Sequence, residues 1–195
     1  MYRLKKYVCS FIFLLILGGC GLNDNIRGDY VDMGKNMLIN EQEISDKIIE
    51  SLVKGINNKD DDIIKGLFSE NSIKKSDKID DSILDLYDYI DGDIISYSEG
   101  NGSGSTSESM DAEHRILIGY PCYYVRTDTE EYYFCLENCI IDTEDRNREG
   151  VKYLIVVKAD DMTKIFDGNE KILFDGTEEI DRNGIFIPDM YFMNE

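Results

Sequence analysis

The chain has 195 residues, with 21 Lys and Arg against 40 Asp and Glu, for a formal charge of −19. That balance argues against nucleic acid as a partner, because phosphate binding needs clustered basic side chains. A hydrophobic fraction of 42% argues against wholesale disorder, and one His and no Trp leave little material for imidazole chemistry.

Arg3, Lys5 and Lys6 open the chain, an apolar run follows from Tyr7 to Leu17, and Leu17-Gly18-Gly19-Cys20 ends it. The run is about half the ~20 residues a spanning helix needs, so residues 1–19 are expected to be a secretory signal. The Leu-x-Gly-Cys ending resembles a bacterial lipobox. The resemblance implies that Cys20 carries a diacylglycerol and becomes the first residue of the mature chain. Two acyl chains suffice for stable anchoring at ~0.8 kcal/mol per buried CH₂. An ordinary secretory signal with a chance Cys, or an uncleaved anchor, is the alternative. Residues 20–39 hold Asn, Asp and Gly with few apolar side chains, and are expected to be a flexible tether.

Helix signals begin at Asn40, which with Glu43 makes a cap and capping-box acid. Ile44, Ile48, Ile49, Leu52, Val53 and Ile56 recur on one helical face, and Asn57-Asn58 is the expected stop. Asp60 caps a second helix holding Ile63, Ile64, Leu67 and Phe68. A third is expected from Ile79 to Ile90, with Ile79, Ile83, Leu86, Tyr87 and Ile90 inward. The period then changes. A short strand is expected from Asp93 to Ser98, and Glu99 to Ser109, rich in Gly and Ser, is expected to be a loop without core residues.

Three strands in a meander follow: His114 to Arg126, Glu131 to Asp142 and Val151 to Lys158. Pro121 inside the first demands an edge or a bulge. If Asp128-Thr129 is the loop pair, Cys122 lies opposite Cys135. From Met162 onward come short apolar pieces at 164–166, 171–174 and 184–188. Helices first and strands after predict an α+β fold, with helices packed on a curved antiparallel sheet. The expected domain is residues 40–160, with 161–195 a C-terminal extension of short strands.

Gly55-Ile56-Asn57-Asn58-Lys59-Asp60, then Ile63, Leu67-Phe68-Ser69 and Asn71-Ser72, are similar to the opening of cone-shaped domains related to nuclear transport factor two and ketosteroid isomerase. The remainder, with its lipobox, acidic third helix and Tyr-rich meander, resembles a lipoprotein family of Gram-positive bacteria, the domain of unknown function numbered 5104. The resemblance implies a cystatin-like cone and an anchor on the outer face of the cell membrane. It implies no activity, so no functional residue is carried over.

Most acids fall on helix surfaces or in loops, and Glu137, between Leu136 and Asn138 in a central strand, is the exception; with Tyr120 opposite it would line a concave pocket as base and hydrogen-bond donor. The bland reading is a solvent-facing or edge-facing Glu. His114 reads as a surface residue. Cys135 and Cys139 lie ~13 Å apart along a strand, too far for one metal. Cys122 and Cys135 are candidates for a cross-strand disulfide, with buried free thiols as the alternative. Cys139 is expected in the core. Asp142, Glu144, Asp145 and Asn147 offer oxygen ligands, but without EF-hand spacing a solvated charged turn is the default. No metal or cofactor is expected. Tyr120, Tyr124 and Tyr133 belong to an aromatic strip that is either sheet packing or a ligand or protein interface.

Two functions follow as expectations. The first is a lipid-anchored binding module, taking a small ligand in its cone or an envelope protein on its Tyr-rich sheet, with a homodimer open. The second is a pocket enzyme of isomerase, dehydratase or hydrolase type. A closed pocket around a buried carboxylate favours the second; an open, shallow or filled sheet favours the first.

Overall fold

The computed structural model describes residues 40–76, 78–100, 103–109, 114–162 and 183–187. The expected signal, Cys20, the tether and the apolar pieces at 164–166 and 171–174 lie outside these residues.

Asn40 caps α1 (Glu41–Asn58), its side chain accepting from the Glu43 N–H at 3.3 Å. Ile44, Ile48, Ile49, Leu52 and Ile56 are buried, as their spacing predicts. The helix ends at Asn58, within the expected Asn57-Asn58 stop, and Lys59 after it takes the left-handed conformation at φ 50°. The Asp60 N–H turns back to the Gly55 carbonyl at 2.9 Å, satisfying the last turn. Asp60 then caps α2 (Asp61–Leu67) through the Ile63 N–H. A Cβ on Gly55 would lie 2.6 Å from Ile64 Cγ1, so glycine lets α2 fold back onto α1.

A short helix absent from the sequence reading follows, α3 (Glu70–Lys75), capped by the Ser69 hydroxyl. Six residues with one large apolar side chain, Ile73, carry no readable period. The next helix, α4 (Ile79–Tyr89), buries Ile79, Ile83 and Leu86.

Among the described residues the sheet has seven strands: β1 (Ile94–Glu99), β2 (Gly104–Ser109), β3 (Arg115–Tyr120), β4 (Cys122–Thr127), β5 (Glu131–Asp142), β6 (Gly150–Lys158) and β7 (Gly184–Phe186). Two sequence expectations are corrected here. The Gly/Ser-rich 104–109 stretch is a strand, because β3 offers it a ladder along its whole length. The long strand from His114 to Arg126 breaks at Pro121, which has no N–H to give a ladder.

The break does not change the register. Gly119 faces Asn138 and Cys122 faces Cys135, so β3 and β4 follow one line along β5. Residues 132–135 pair with β4 and with β6, and 138–139 pair with β3 and with β6, so β6 holds the opposite edge. Outside β3 and β4 run β2 and β1; outside β6 runs β7, parallel to it. The β4–β5 hairpin turns on Asp128-Thr129, with the Thr127 N–H donating to the Glu130 carbonyl at 2.9 Å.

The helices cover one face of this sheet. Ile48, Leu52, Ile64, Ile83 and Leu86 pack in one cluster with Val125, Phe134, Leu136, Leu154 and Val156. The architecture is α+β, helices first and an open sheet after.

Candidate functional site

Strand alternation divides the side chains of the meander between two faces. Tyr123, Val125, Tyr132, Phe134 and Leu136 point toward the helices. Cys122, Tyr133, Cys135, Ile155 and Val157 form a second cluster on the far face, with Tyr124, Tyr153, Met162 and Phe186 against it. Glu137 shares this far face by period two, and its register partner is Tyr153. The line of β3 and β4 puts Tyr120 between the pairs Gly119–Asn138 and Cys122–Cys135, beside Glu137 on β5. The residues expected to line a pocket thus come together, but on the face away from the helices.

A bulge completes the group. The β5–β6 register slips between Glu137 and Asn138, leaving Lys152 as the extra residue between Val151 and Tyr153. Bulges re-aim side chains, and here Lys152 Nζ reaches Glu137 Oε1 at 3.3 Å and Oε2 at 3.4 Å. The same ammonium lies 5.9 Å from the centre of the Tyr153 ring, within cation–π range. The Glu137 side chain is 14% exposed, so the pair is screened less than a surface pair. Burial, then the Glu137 carboxylate, holds the Tyr153 hydroxyl well above its usual range. Tyr124 and Tyr133 tilt against each other at 5.0 Å, and the Tyr124 hydroxyl donates to the Met162 sulfur at 3.7 Å.

Sequence reading missed Lys152. The available signal was a cation inside a largely apolar strand, next to Tyr153, the register partner of Glu137. The bulge that aims it there has no local signature in the residues.

Beneath the helices the interior is filled by packed side chains. A separate cleft of about 170 Å³ opens where α1 begins, lined by Glu41, Ser45, Glu99, Ser103, Pro121 and Tyr123. It is smaller than the ~300–1,000 Å³ of ordinary ligand pockets. Burial and the Asp46 carboxylate raise the Tyr123 hydroxyl in it.

His114 is exposed at the start of β3, with Nε2 3.8 Å from Glu144 Oε1. Cys139 is buried, and its thiol, pushed up to about 12 by burial and by Asp142, donates to the Ile141 carbonyl at 3.5 Å. At the end of β5, Asp142 is fully buried. Its Oδ1 accepts from the Glu144 and Asp145 N–H groups at 3.0 and 2.8 Å, and its Oδ2 lies 2.9 Å from Arg148 Nη1. Asp145 accepts from the Asn71 amide at 2.8 Å, which holds its carboxyl below the usual range. These oxygens build the turn and tie it to α3. Among the described residues no group of three or more His, Cys, Asp and Glu side chains is placed to hold a metal.

No curated protein matches the chain. A family model described as a domain of unknown function, DUF5104, matches residues 51–159, a span that runs from within α1 through β6 and includes Tyr120, Cys122, Cys135, Glu137 and Lys152. That span exceeds half of the chain, and the protein belongs to the DUF5104 family.

Proposed function

We propose that this protein is a lipid-anchored module on the outer face of a bacterial cell membrane, and that it binds another envelope protein through the far face of its sheet. The observation that carries the reading is a far face with half-buried Tyr120 and Tyr153 beside the Glu137–Lys152 pair and half-buried Tyr124 farther along it, against Tyr133. Tyr contributes large contact area with a polar tip and is enriched where proteins bind. The apolar cluster packed beneath the helices and the small size of the cleft favour this over a cone that encloses a ligand. The anchor rests on Leu17-Gly18-Gly19-Cys20. No helix among the described residues is long and apolar enough to cross a membrane. The cone-like description is part of the same reading, supported by the order of helices and sheet.

The test is site-specific photo-crosslinking of the full chain in its own membrane. A crosslinker at Tyr120 or Tyr124 is expected to capture a second envelope protein, and one at Lys54, exposed on α1, is not. Absence of any adduct from the tyrosine sites, or an adduct only to a second copy, overturns the hetero-partner reading. A fatty-acid label lost in Cys20→Ala tests the anchor separately. A small molecule retained by the wild type in native mass spectra and lost in Glu137→Gln would favour the pocket-enzyme reading instead.

A further inference from the structure

Pro121 sets the phase of the β4–β5 ladder. The Leu136 N–H donates to the Pro121 carbonyl at 3.0 Å, which makes Pro121–Leu136 the hydrogen-bonded rung. The next rung, Cys122–Cys135, is therefore a non-hydrogen-bonded one. The backbone of Cys122 agrees: its N–H donates to Ser103 Oγ at 3.0 Å and its carbonyl accepts from the Gly100 N–H at 2.7 Å, both away from β5. On such a rung the Cα atoms stand ~4.5 Å apart, within the ~4.4–6.8 Å that a disulfide spans. Both side chains lie on the far face, and the two Sγ atoms are 2.8 Å apart as unbonded thiols. Little movement separates them from a bond of ~2.05 Å.

The two sulfurs are not equivalent. A hydrogen bond from Cys135, joined by one from Tyr133, favours the thiolate of Cys122, whereas Cys135 is held protonated by its bond to Cys122 and by burial. The third cysteine of this strand pair, Cys139, spends its thiol on a backbone carbonyl and is outside the cluster.

We propose that Cys122 and Cys135 are a redox pair that closes into a disulfide by exchange with a small-molecule disulfide. Cys122 sulfur attacks the donor, one half leaves as a thiolate, and the other half stays on Cys122 as a mixed disulfide. The departing thiolate takes up a proton. Cys135 then gives up its own proton and attacks the Cys122 sulfur, the second half leaves and is protonated, and the bond between β4 and β5 forms. The chain is oxidised by two electrons and the donor is reduced to two thiols. Each cysteine keeps only 8% of its surface, so the donor must be small. This chemistry stands whether or not the far face binds a partner.

The experiment places the full chain, fully reduced, in a buffer of oxidised and reduced glutathione. Samples are quenched by alkylation and mapped by peptide mass. The expected product is one linked pair, Cys122 with Cys135, with Cys139 alkylated in the same samples. Cys135→Ser is expected to accumulate glutathione on Cys122, and Cys122→Ser to leave Cys135 as a free thiol. Complete alkylation of both cysteines in the wild type, a linked peptide containing Cys139, or glutathione on Cys135 in the Cys122→Ser variant overturns the proposal. The wild-type measurement needs no variant to fold.

Discussion

Along β5 neighbouring side chains enter two different environments. Tyr132, Phe134 and Leu136 join the apolar cluster beneath the helices, where the Tyr132 hydroxyl donates to the Tyr89 carbonyl at 3.2 Å and accepts from the Asp91 N–H at 2.9 Å. Tyr133, Cys135 and Glu137, one residue away in each case, meet two sulfurs, a carboxylate, an ammonium and tyrosine rings. The first face gains from removing apolar area from water, at ~25 cal/mol per Å². On the second, each polar atom needs a partner to offset its desolvation, so its contacts yield little net stability. One strand thus separates what holds the fold from what is left for chemistry or recognition.

Truncation on the two faces is the strongest way to break that comparison. Phe134 is fully buried, and Phe134→Ala is expected to cost about 3–5 kcal/mol, a large part of the ~5–15 kcal/mol of a typical domain. Tyr124 is half-buried, and Tyr124→Ala loses chiefly its tilted contact with Tyr133, about 0.5–1.5 kcal/mol plus some area. Denaturant midpoints of the two variants measure the difference. Equal losses would mean that the far face carries as much of the fold as the helix face.

A smaller effect is expected where the helices are joined to the sheet. The Ser69 N–H donates to the Val151 carbonyl at 2.9 Å, and Phe68 bridges to Val151 in parallel. Gly150, at φ 117°, allows this approach: a Cβ there would lie 3.0 Å from the Ser69 nitrogen and 3.1 Å from the Leu67 carbonyl oxygen. Both are backbone atoms, which cannot swing aside as a side chain does. Gly150→Ala is expected to cost about 1–3 kcal/mol. The midpoint of thermal unfolding should fall by several degrees, at ~2–4 °C per kcal/mol. An unchanged midpoint would show that the α2–α3 link is not fixed to β6.

Which of these features the residues announce follows from how local their causes are. Asn40, Glu43 and the isoleucines of α1 carry a cap and a period within one segment, so that helix is readable. Asp128-Thr129 between two Tyr-rich strands fixes a register, and Cys122 opposite Cys135 follows from it. The strand at 104–109 is different: Gly and Ser supply no pattern, and only the unpaired edge of β3 makes it a strand. Glu137 shows the deeper limit. Alternation states that it shares a face with Tyr133 and Cys135, but not on which side the helices will land. Lys152 is hidden further, since a bulge removes it from the alternation altogether.

The smallest effect concerns a property the two faces share. Tyr123 and Tyr132 on the helix face, and Tyr133 and Tyr153 on the far face, are all raised above the ordinary tyrosine range, with burial the largest cause in each. In the unfolded chain tyrosines lose their protons near ~10, while in the fold these keep theirs to higher pH. Above that point the unfolded state binds fewer protons than the native one, so stability falls as pH rises. Their contribution is intact below the unfolded value and is lost on the alkaline side. Cys139, raised to about 12, adds in the same direction. Denaturant midpoints at about pH 8 and about pH 11 should therefore differ for the wild type. The difference should shrink in both Tyr123→Phe and Tyr153→Phe, because a ring without a hydroxyl has no proton to lose. A loss that shrinks only in Tyr123→Phe would mean that water already reaches the Tyr153 hydroxyl. The far face would then be open to solvent, and its polar groups would stabilise one another less than their spacing implies.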